Sequence, residues 1–489
     1  MEPKNANVIF QSIIARNLFF GALLFAILVV ELAVCFNSEF TFDAGDGLEH
    51  YLISRWSWQH PELFFHHWGK PMFTLLSSPF TQFGYFGMNA FQILCGIATA
   101  FFCYRIALKL QLKFAWLVAI FIFFAPIYFS VVNSGLTEIL FACLLMFCIW
   151  MIFKKEYIVA ALAASFLPFV RVEALVTVPL MVFILFRRKQ WAALSLLPTG
   201  FIIFSFAGSF FHHDLLWVIH QNQDFFTENY PGSKGDFFHY IRFANKFLGL
   251  IPCILIIISI IWAIFYYSKK TFRKENLNYF EDELVLVFGC FFACLILNML
   301  SYSVPGILNN LGMLRYMTTL VPCASLIALR GLNVVLAPVN RFAWIQVIII
   351  AILVFLTVKY PFQRWPYPFK LDGEPKYIKV AADYLKENNL EWTRLSYFHP
   401  SFPLFYDVDP FDTEKIVRYI DFNSPPPSEQ LPSGSIIIWD AHFGPTDFNA
   451  PLEKIENNSS IKLLKTIQTV EKYTVMNSWL FEIRIYRVM

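Results

Sequence analysis

Three carboxylates crowd one short stretch near the start of the chain, Phe42-Asp43-Ala44-Gly45-Asp46-Gly47-Leu48-Glu49-His50-Tyr51. A loop carboxylate accepts a proton or caps a helix, and this pattern suits either use. Gly45 and Gly47 beside Asp46 let the backbone turn sharply and approach a ligand, while Leu48, Leu52 and Ile53 begin a short interfacial helix after the turn. Capping of that helix by Asp43 and Asp46 is the plainer alternative.

The same loop runs on through Arg55-Trp56-Ser57-Trp58 to His66-His67-Trp68-Gly69-Lys70-Pro71. His66 and His67 with Asp46 or Glu49 could approach a divalent metal, but adjacent histidines lack the i, i+4 spacing of a helical metal pair, so no metal is expected. Trp56, Trp58 and Trp68 fit an interfacial aromatic belt and equally a stacking platform for a sugar ring. Glu138 stands at the edge of an apolar run. Facing lipid it would be costly, so it either faces a water-filled cavity or lends negative charge to a helix N-terminus. Arg171 and Arg315 also stand at helix ends, where snorkelling to the interface is the ordinary reading for long basic side chains.

The elements that must position these residues follow from composition. The chain has 489 residues, 57% hydrophobic and 15% charged, with 57 Phe. Ordinary soluble domains carry about 25% charged residues, so the deficit selects an integral membrane protein and excludes disorder, coiled coil and collagen. A net charge of +3 implies no nucleic-acid partner. The nine cysteines fall in or beside apolar spans and read as small hydrophobes rather than a disulfide framework.

Hydropathy predicts about eleven transmembrane helices, at 17–36, 87–106, 114–132, 135–153, 157–169, 172–186, 191–211, 247–267, 283–302, 315–333 and 342–358. The fifth and sixth are short and hinge at Pro168 and Arg171. On one side the short loops hold Lys4, Arg16, Arg105, Lys109, Lys113, Lys154, Lys155, Arg187, Arg188, Lys189, Lys269, Lys270, Arg273, Lys274, Arg330 and Arg341. The other side holds only Arg55, Lys70, Arg171, Lys234, Arg242, Lys246 and Arg315. The richer side is cytoplasmic by the positive-inside rule, which puts the N-terminus inside, uncleaved. An odd number of spans then sends residues 360–489 to the far side. This tail has Pro-rich turns at Pro361, Pro366, Pro368 and Pro425–Pro427, a helix-like stretch Tyr377–Glu387 and strand-like runs Ser435–Asp440 and Leu480–Val488. The expected architecture is an all-α polytopic domain over 1–359 and a small extracytoplasmic α/β domain over 360–489. Two outer loops, 37–86 and 212–246, are long, and all ten histidines lie in predicted outer segments. Loops of that length in a compact protein are functional or disordered, and these are too rich in Trp, Phe and His for disorder.

With an acid after span one, a Tyr five positions beyond Asp46 and Lys70-Pro71 about 25 residues later, the sequence resembles the C-superfamily (GT-C) of integral-membrane glycosyltransferases. Trp68-Gly69-Lys70-Pro71-Met72-Phe73-Thr74-Leu75-Leu76 is similar to the superfamily's stretch leading into the second span. Ser134-Gly135-Leu136-Thr137-Glu138, Arg171-Val172-Glu173 and Arg315-Tyr316-Met317-Thr318-Thr319-Leu320-Val321-Pro322 add to the likeness, the last resembling an Arg-Tyr helix start closed by Pro. Gly47 stands where many members have a second acid, which leaves Asp43, Asp46 and Glu49 open as the working carboxylate.

The resemblance implies an inverting transfer of a sugar, a hexose and most comparably mannose, from a polyprenyl-phosphate donor to an acceptor hydroxyl on a glycan, lipid or protein outside the cytoplasm. Cell-envelope glycan or glycolipid assembly is the implied setting, and the Phe- and Lys-rich composition with a short N-terminus suggests a bacterial inner membrane. It implies catalytic roles for Asp46, then Asp43, and for Glu138. Lys70, Arg171 and Arg315 would hold the donor phosphate, and Glu49, His50, His67 and Trp68 the acceptor or sugar. A lipid-linked sugar transporter or flippase is the rival. Its polar residues should lie in mid-membrane breaks of repeated halves, whereas the carboxylates here lie in outer loops or near helix ends and no internal repeat is evident.

Overall fold

The computed structural model describes residues 3–220, 235–272, 282–308, 310–418, 420, 430–470, 472–475 and 480–489. Lys234, Arg273, Lys274 and the turn at Pro425–Pro427 lie outside the described residues. The chain divides into two compact units. One comprises 1–38, 53–57 and 61–369, the other 39–52, 58–60 and 370–489.

The first unit is helical. Among the described residues seven helices are long and apolar enough to cross a membrane: Ile14–Asn37, Gly84–Lys109, Trp191–His212, Leu250–Lys270, Asp282–Ser303, Leu314–Val339 and Ala343–Arg364. The other four of the eleven expected spans are shorter or interrupted. Pro126 breaks one into helices Leu117–Phe123 and Pro126–Val131, because its missing N–H and fixed φ suit a first helical turn and not an interior. Glu138–Lys154 has 17 residues, and the pair at the Pro168 hinge appears as the apolar segments Tyr157–Phe169 and Ala174–Arg187. Arg171 lies in the turn between those two.

Burial separates central helices from those whose apolar side chains face outward. The Leu314–Val339 segment is 72% buried over its apolar window, against 22% for Ile14–Asn37 and Ala343–Arg364. Small residues let the central helices approach: a Cβ at Gly331 would fall 2.0 Å from the carbonyl oxygen of Leu255. That spacing brings two backbones into contact, which apolar solvent rewards through packing alone.

The second unit has a four-stranded sheet in the order β1-β2-β4-β3, with β1 Leu395–Tyr397, β2 Ile436–Asp440, β3 Ile461–Gln468 and β4 Glu482–Val488. β1 and β2 are parallel, and the other pairs antiparallel. β2, Ile-Ile-Ile-Trp-Asp, is buried throughout, as the continuous apolar run of a central strand should be. β3 is an edge strand bearing Lys462 and Lys465, charges that discourage further pairing. The helix Gly373–Glu387 turns Ile378, Ala381, Ala382 and Leu385 into the same core.

Candidate active site

In the helical unit, three of the candidate residues converge. The turn after Phe169 carries Arg171, the helix Glu138–Lys154 begins at Glu138, and the segment Leu314–Leu320 carries Arg315. Arg171 Nη1 lies 2.8 Å from Glu138 Oε1 and donates to Thr137 Oγ1 at 3.1 Å. Its Nε and Nη2 donate to the Glu173 carboxylate at 3.0–3.1 Å. The guanidinium is thus forked between two carboxylates whose side chains are 1% and 2% exposed. Such bidentate, charge-assisted geometry is what Arg provides and Lys cannot.

Arg315, 7% exposed, completes the group. The guanidinium groups of Arg171 and Arg315 lie 5.8 and 5.6 Å from the centre of the Tyr316 ring, and Arg315 is close enough to act electrostatically on Glu138. Two cations and two anions therefore share one buried locus. Among the described residues Glu138 Oε2 is buried without a hydrogen-bond partner, a costly state for a carboxylate oxygen unless function retains it. Beside the group, Asn310 accepts from the Tyr240 hydroxyl at 3.3 Å and donates to the Asn298 carbonyl at 3.1 Å. Glu173, Thr137, Asn298 and Asn310 had no assigned role in the sequence reading. The one signal that could have found them was a polar residue at the end of an apolar run.

Lys70, His66 and His67 belong to the same unit. Lys70 precedes the helix Pro71–Thr81 with φ 58°, held in a turn that His66-His67-Trp68-Gly69 also shapes. Gly69 is closely packed: a Cβ there would fall 2.6 Å from Ile53 Cγ2 and 2.9 Å from Thr74 Oγ1, so those side chains would have to shift. Burial, followed by the positive charges of Lys70 and His66, lowers His67 to about 4, so its imidazole is neutral near pH 7. Trp68 is exposed.

The second unit holds the carboxylates of residues 43–49. The helix Asp46–Trp56 begins at Asp46. Asp43 Oδ1 accepts from the backbone N–H of Gly47 at 2.8 Å and of Gly45 at 3.2 Å, so Asp43 does the capping work. Glu49 is engaged by Arg418 Nη2 at 2.5 Å. His50 is buried. Asp46 lies near Asp447, whose carboxyl is pushed up by burial first and by Asp46 in part.

A second ionic group of this unit escaped the sequence reading. His442 Nδ1 lies 2.8 Å from Glu374 Oε2, and His399 Nε2 lies 3.4 Å from the same oxygen. Burial works against the Glu374 carboxylate, yet the hydrogen bonds from His399 and His442 prevail and bring it down to about 2. Among the described residues no group of three or more His, Cys, Asp or Glu is arranged to hold a metal ion.

The helical bundle and the small sheet are GT-C-like in fold. The sequence matches Glycosyltransferase family 87 over residues 70–297, just under half of the chain. ArnT from Cupriavidus metallidurans, in a crystal structure bound to undecaprenyl phosphate, is similar with a TM-score of 0.57 and 11% identity over 96% of this chain and 98% of that one. Its apo state gives a TM-score of 0.56 at 10% identity over 97% and 98%. No curated protein sequence matches. The family match and the fold support a membrane glycosyltransferase.

Proposed function

We propose that the protein transfers a sugar, with inversion, from a polyprenyl-phosphate donor to an acceptor hydroxyl on the extracytoplasmic face of the membrane. The observation that carries the reading is the buried Glu138–Arg171–Glu173 group with Arg315 at the ends of apolar helices, in a chain with the family 87 match. Burying four ionised groups there is expensive. A departing lipid phosphate gives them a use, because it develops negative charge that fixed guanidinium groups stabilise without reorganising. The undecaprenyl phosphate of the similar ArnT structure is a carrier of the proposed kind.

In the proposed reaction the acceptor oxygen bonds to the anomeric carbon as its proton passes to a carboxylate. The bond from that carbon to the phosphate oxygen breaks, and its electron pair leaves with the polyprenyl phosphate. Asp46 is the carboxylate assigned to the proton, with Asp43, which caps the helix that begins at Asp46, as the second candidate. Arg171, fixed by its two carboxylates, and Arg315 hold the leaving phosphate, with Lys70 as a third cation. Glu138 positions Arg171. His67, neutral, hydrogen-bonds acceptor or sugar, and Trp68 offers a ring for stacking. Glu49 and His50, on the helix that begins at Asp46, are further acceptor- or sugar-binding residues in this reading. In this reading residues 1–359 form the membrane domain and 360–489 an extracytoplasmic α/β domain, with the N-terminus cytoplasmic, in a bacterial inner membrane. The sugar is a hexose, with mannose the first donor to try, and the product a cell-envelope glycan or glycolipid.

The test is transfer from undecaprenyl-phosphate mannose and its hexose congeners in proteoliposomes, followed by release of undecaprenyl phosphate. Release that depends on Arg171 and Asp46 supports the reading. Movement of intact donor across the bilayer with no release would instead favour a flippase.

A further inference from the structure

At the other end of the Glu138–Lys154 helix lies a second concentration of positive charge with a different character. A cavity of about 460 Å³ is lined by Arg16 and Asn17 of the first helix, Arg105, Leu108 and Lys109 of the Gly84–Lys109 helix, and Trp150 and Lys154. Four cations from three helices, far apart in sequence, thus face one space. None of the lining residues is acidic. The neighbouring cavity, lined by Lys109, Trp262 and Arg330 among others, contains Glu283, whose carboxylate takes both arms of Arg330 at 2.7–2.8 Å. There the charge is neutralised inside the protein. In the first cavity, among the described residues, Arg16, Arg105, Lys109 and Lys154 make no ion pair and are exposed, so an anion from outside can reach all four.

The rest of the cavity suits the remainder of such a ligand. Trp150 stacks on Phe102 at 5.2 Å between ring centres and meets Phe101 edge-on at 5.8 Å, which fixes the indole as an apolar wall. Lys154 Nζ lies 5.1 Å from the centre of the Trp150 ring, so the cation is held at the rim. On the first helix Asn17 Oδ1 accepts from the Tyr104 hydroxyl at 3.1 Å, leaving its amide N–H groups as donors beside Arg16. A phosphate group at the rim with an acyl chain along Trp150 and Leu108 matches this division between polar and apolar walls.

We propose that this cavity binds the headgroup of an anionic phospholipid, at a site separate from the Glu138–Arg171 group. Glu138 and Lys154 are the first and last residues of one 17-residue helix, so the two loci stand roughly 25 Å apart at 1.5 Å per residue. The end concerned is the one that the density of Lys and Arg assigns to the cytoplasm, where anionic lipids attract basic clusters.

The experiment uses the full-length protein in neutral detergent, with native mass spectrometry and thermal unfolding on addition of dioctanoyl phosphatidylglycerol or dioctanoyl phosphatidylcholine. Phosphatidylglycerol should bind as a discrete adduct and raise the melting temperature, and phosphatidylcholine should do neither. R105Q/K109Q and R16Q/K154Q should each weaken phosphatidylglycerol binding at least tenfold. R187Q/K189Q, which removes two basic charges predicted on the same side but outside the cavity, should leave it unchanged. Equal binding of the two lipids, or equal loss in R187Q/K189Q, would overturn the site in favour of diffuse attraction. Because none of these residues belongs to the proposed transfer machinery, failure here leaves the transferase reading standing.

Discussion

Arg171→Lys keeps the charge and removes the fork. In the wild type one planar group satisfies Glu138, Thr137 and both oxygens of Glu173 at 2.8–3.1 Å. An ammonium radiates three donors from a single point and cannot meet two carboxylates on opposite edges of a guanidinium plane. Hydrogen bonds to charged groups contribute about 1.5–3 kcal/mol each, so losing one carboxylate's share costs about 3 kcal/mol. Arg171→Ala leaves both buried acids without a cation, which costs about 3–5 kcal/mol. The triple neutral variant R171M/E138Q/E173Q removes three of the four charges, leaving Arg315, and should melt well above R171A and closer to wild type. Thermal unfolding of the detergent-solubilised protein by intrinsic Trp fluorescence ranks the four, and sugar transfer in proteoliposomes is measured on the same preparations. The reasoning requires a stable but inactive triple variant, because the group exists to meet a phosphate. A triple variant that recovers both stability and transfer would make it a structural clamp, and an R171A protein that melts like wild type would remove the energetic argument altogether.

The first loop offers a paired comparison. Asp46→Asn should abolish transfer with the melting temperature unchanged, whereas Asp43→Asn weakens a helix cap, costs about 1 kcal/mol and leaves measurable activity; the opposite outcome would hand the proton-accepting role to Asp43. In the sheet unit, burial opposes the charge on His442 but its hydrogen bond to Glu374 outweighs that and raises its pKa. Its stabilisation is therefore complete below the unfolded value near ~6.5 and is lost as pH rises through the higher folded value. Glu374, depressed to about 2, contributes stability that is complete above its unfolded value near ~4.3 and is lost as pH falls from there towards about 2, outside the range of this test. Melting curves from about pH 5.5 to about pH 9 should accordingly fall more steeply for wild type than for His442→Asn, and parallel curves would dismiss the pair. Gly331→Ala places a methyl 2.0 Å from the Leu255 carbonyl oxygen. It should cost about 1–3 kcal/mol through separation of the two helices, seen as a lower melting temperature, and an unchanged melt would show that they can move apart freely.

What the sequence made legible and what it hid divide along one physical line. Arg171, Arg315 and Glu138 could be singled out because a charge at the edge of an apolar run is expensive, and an expensive residue advertises a partner. They meet in the structure as that logic requires, since Arg171 and Glu138 pair directly. Glu31 shows the limit of the same logic. It lies inside the first apolar helix, fully buried, and accepts from Asn133 at 2.8 Å, yet nothing local distinguishes it from an acid near a helix end, because its partner stands 102 positions away. The helical segments were readable because each satisfies its backbone within itself and prints its apolarity locally. β1 has three residues and β3 alternates imperfectly around a register shift, and both become strands only by pairing with β2 and β4. The Glu374–His399–His442 group is hidden for the same reason, being assembled from the start of a helix and from the segments that follow β1 and β2. The carboxyl ends of parallel strands are where α/β sheets gather polar groups, but that end exists only after β1 has found β2, so the chemistry becomes visible one step later than the fold. The basic cavity belongs to an intermediate case. Its four cations each looked like an ordinary basic loop residue, and it is their convergence from three helices, with no acid among the lining side chains, that separates a site from a topological signal.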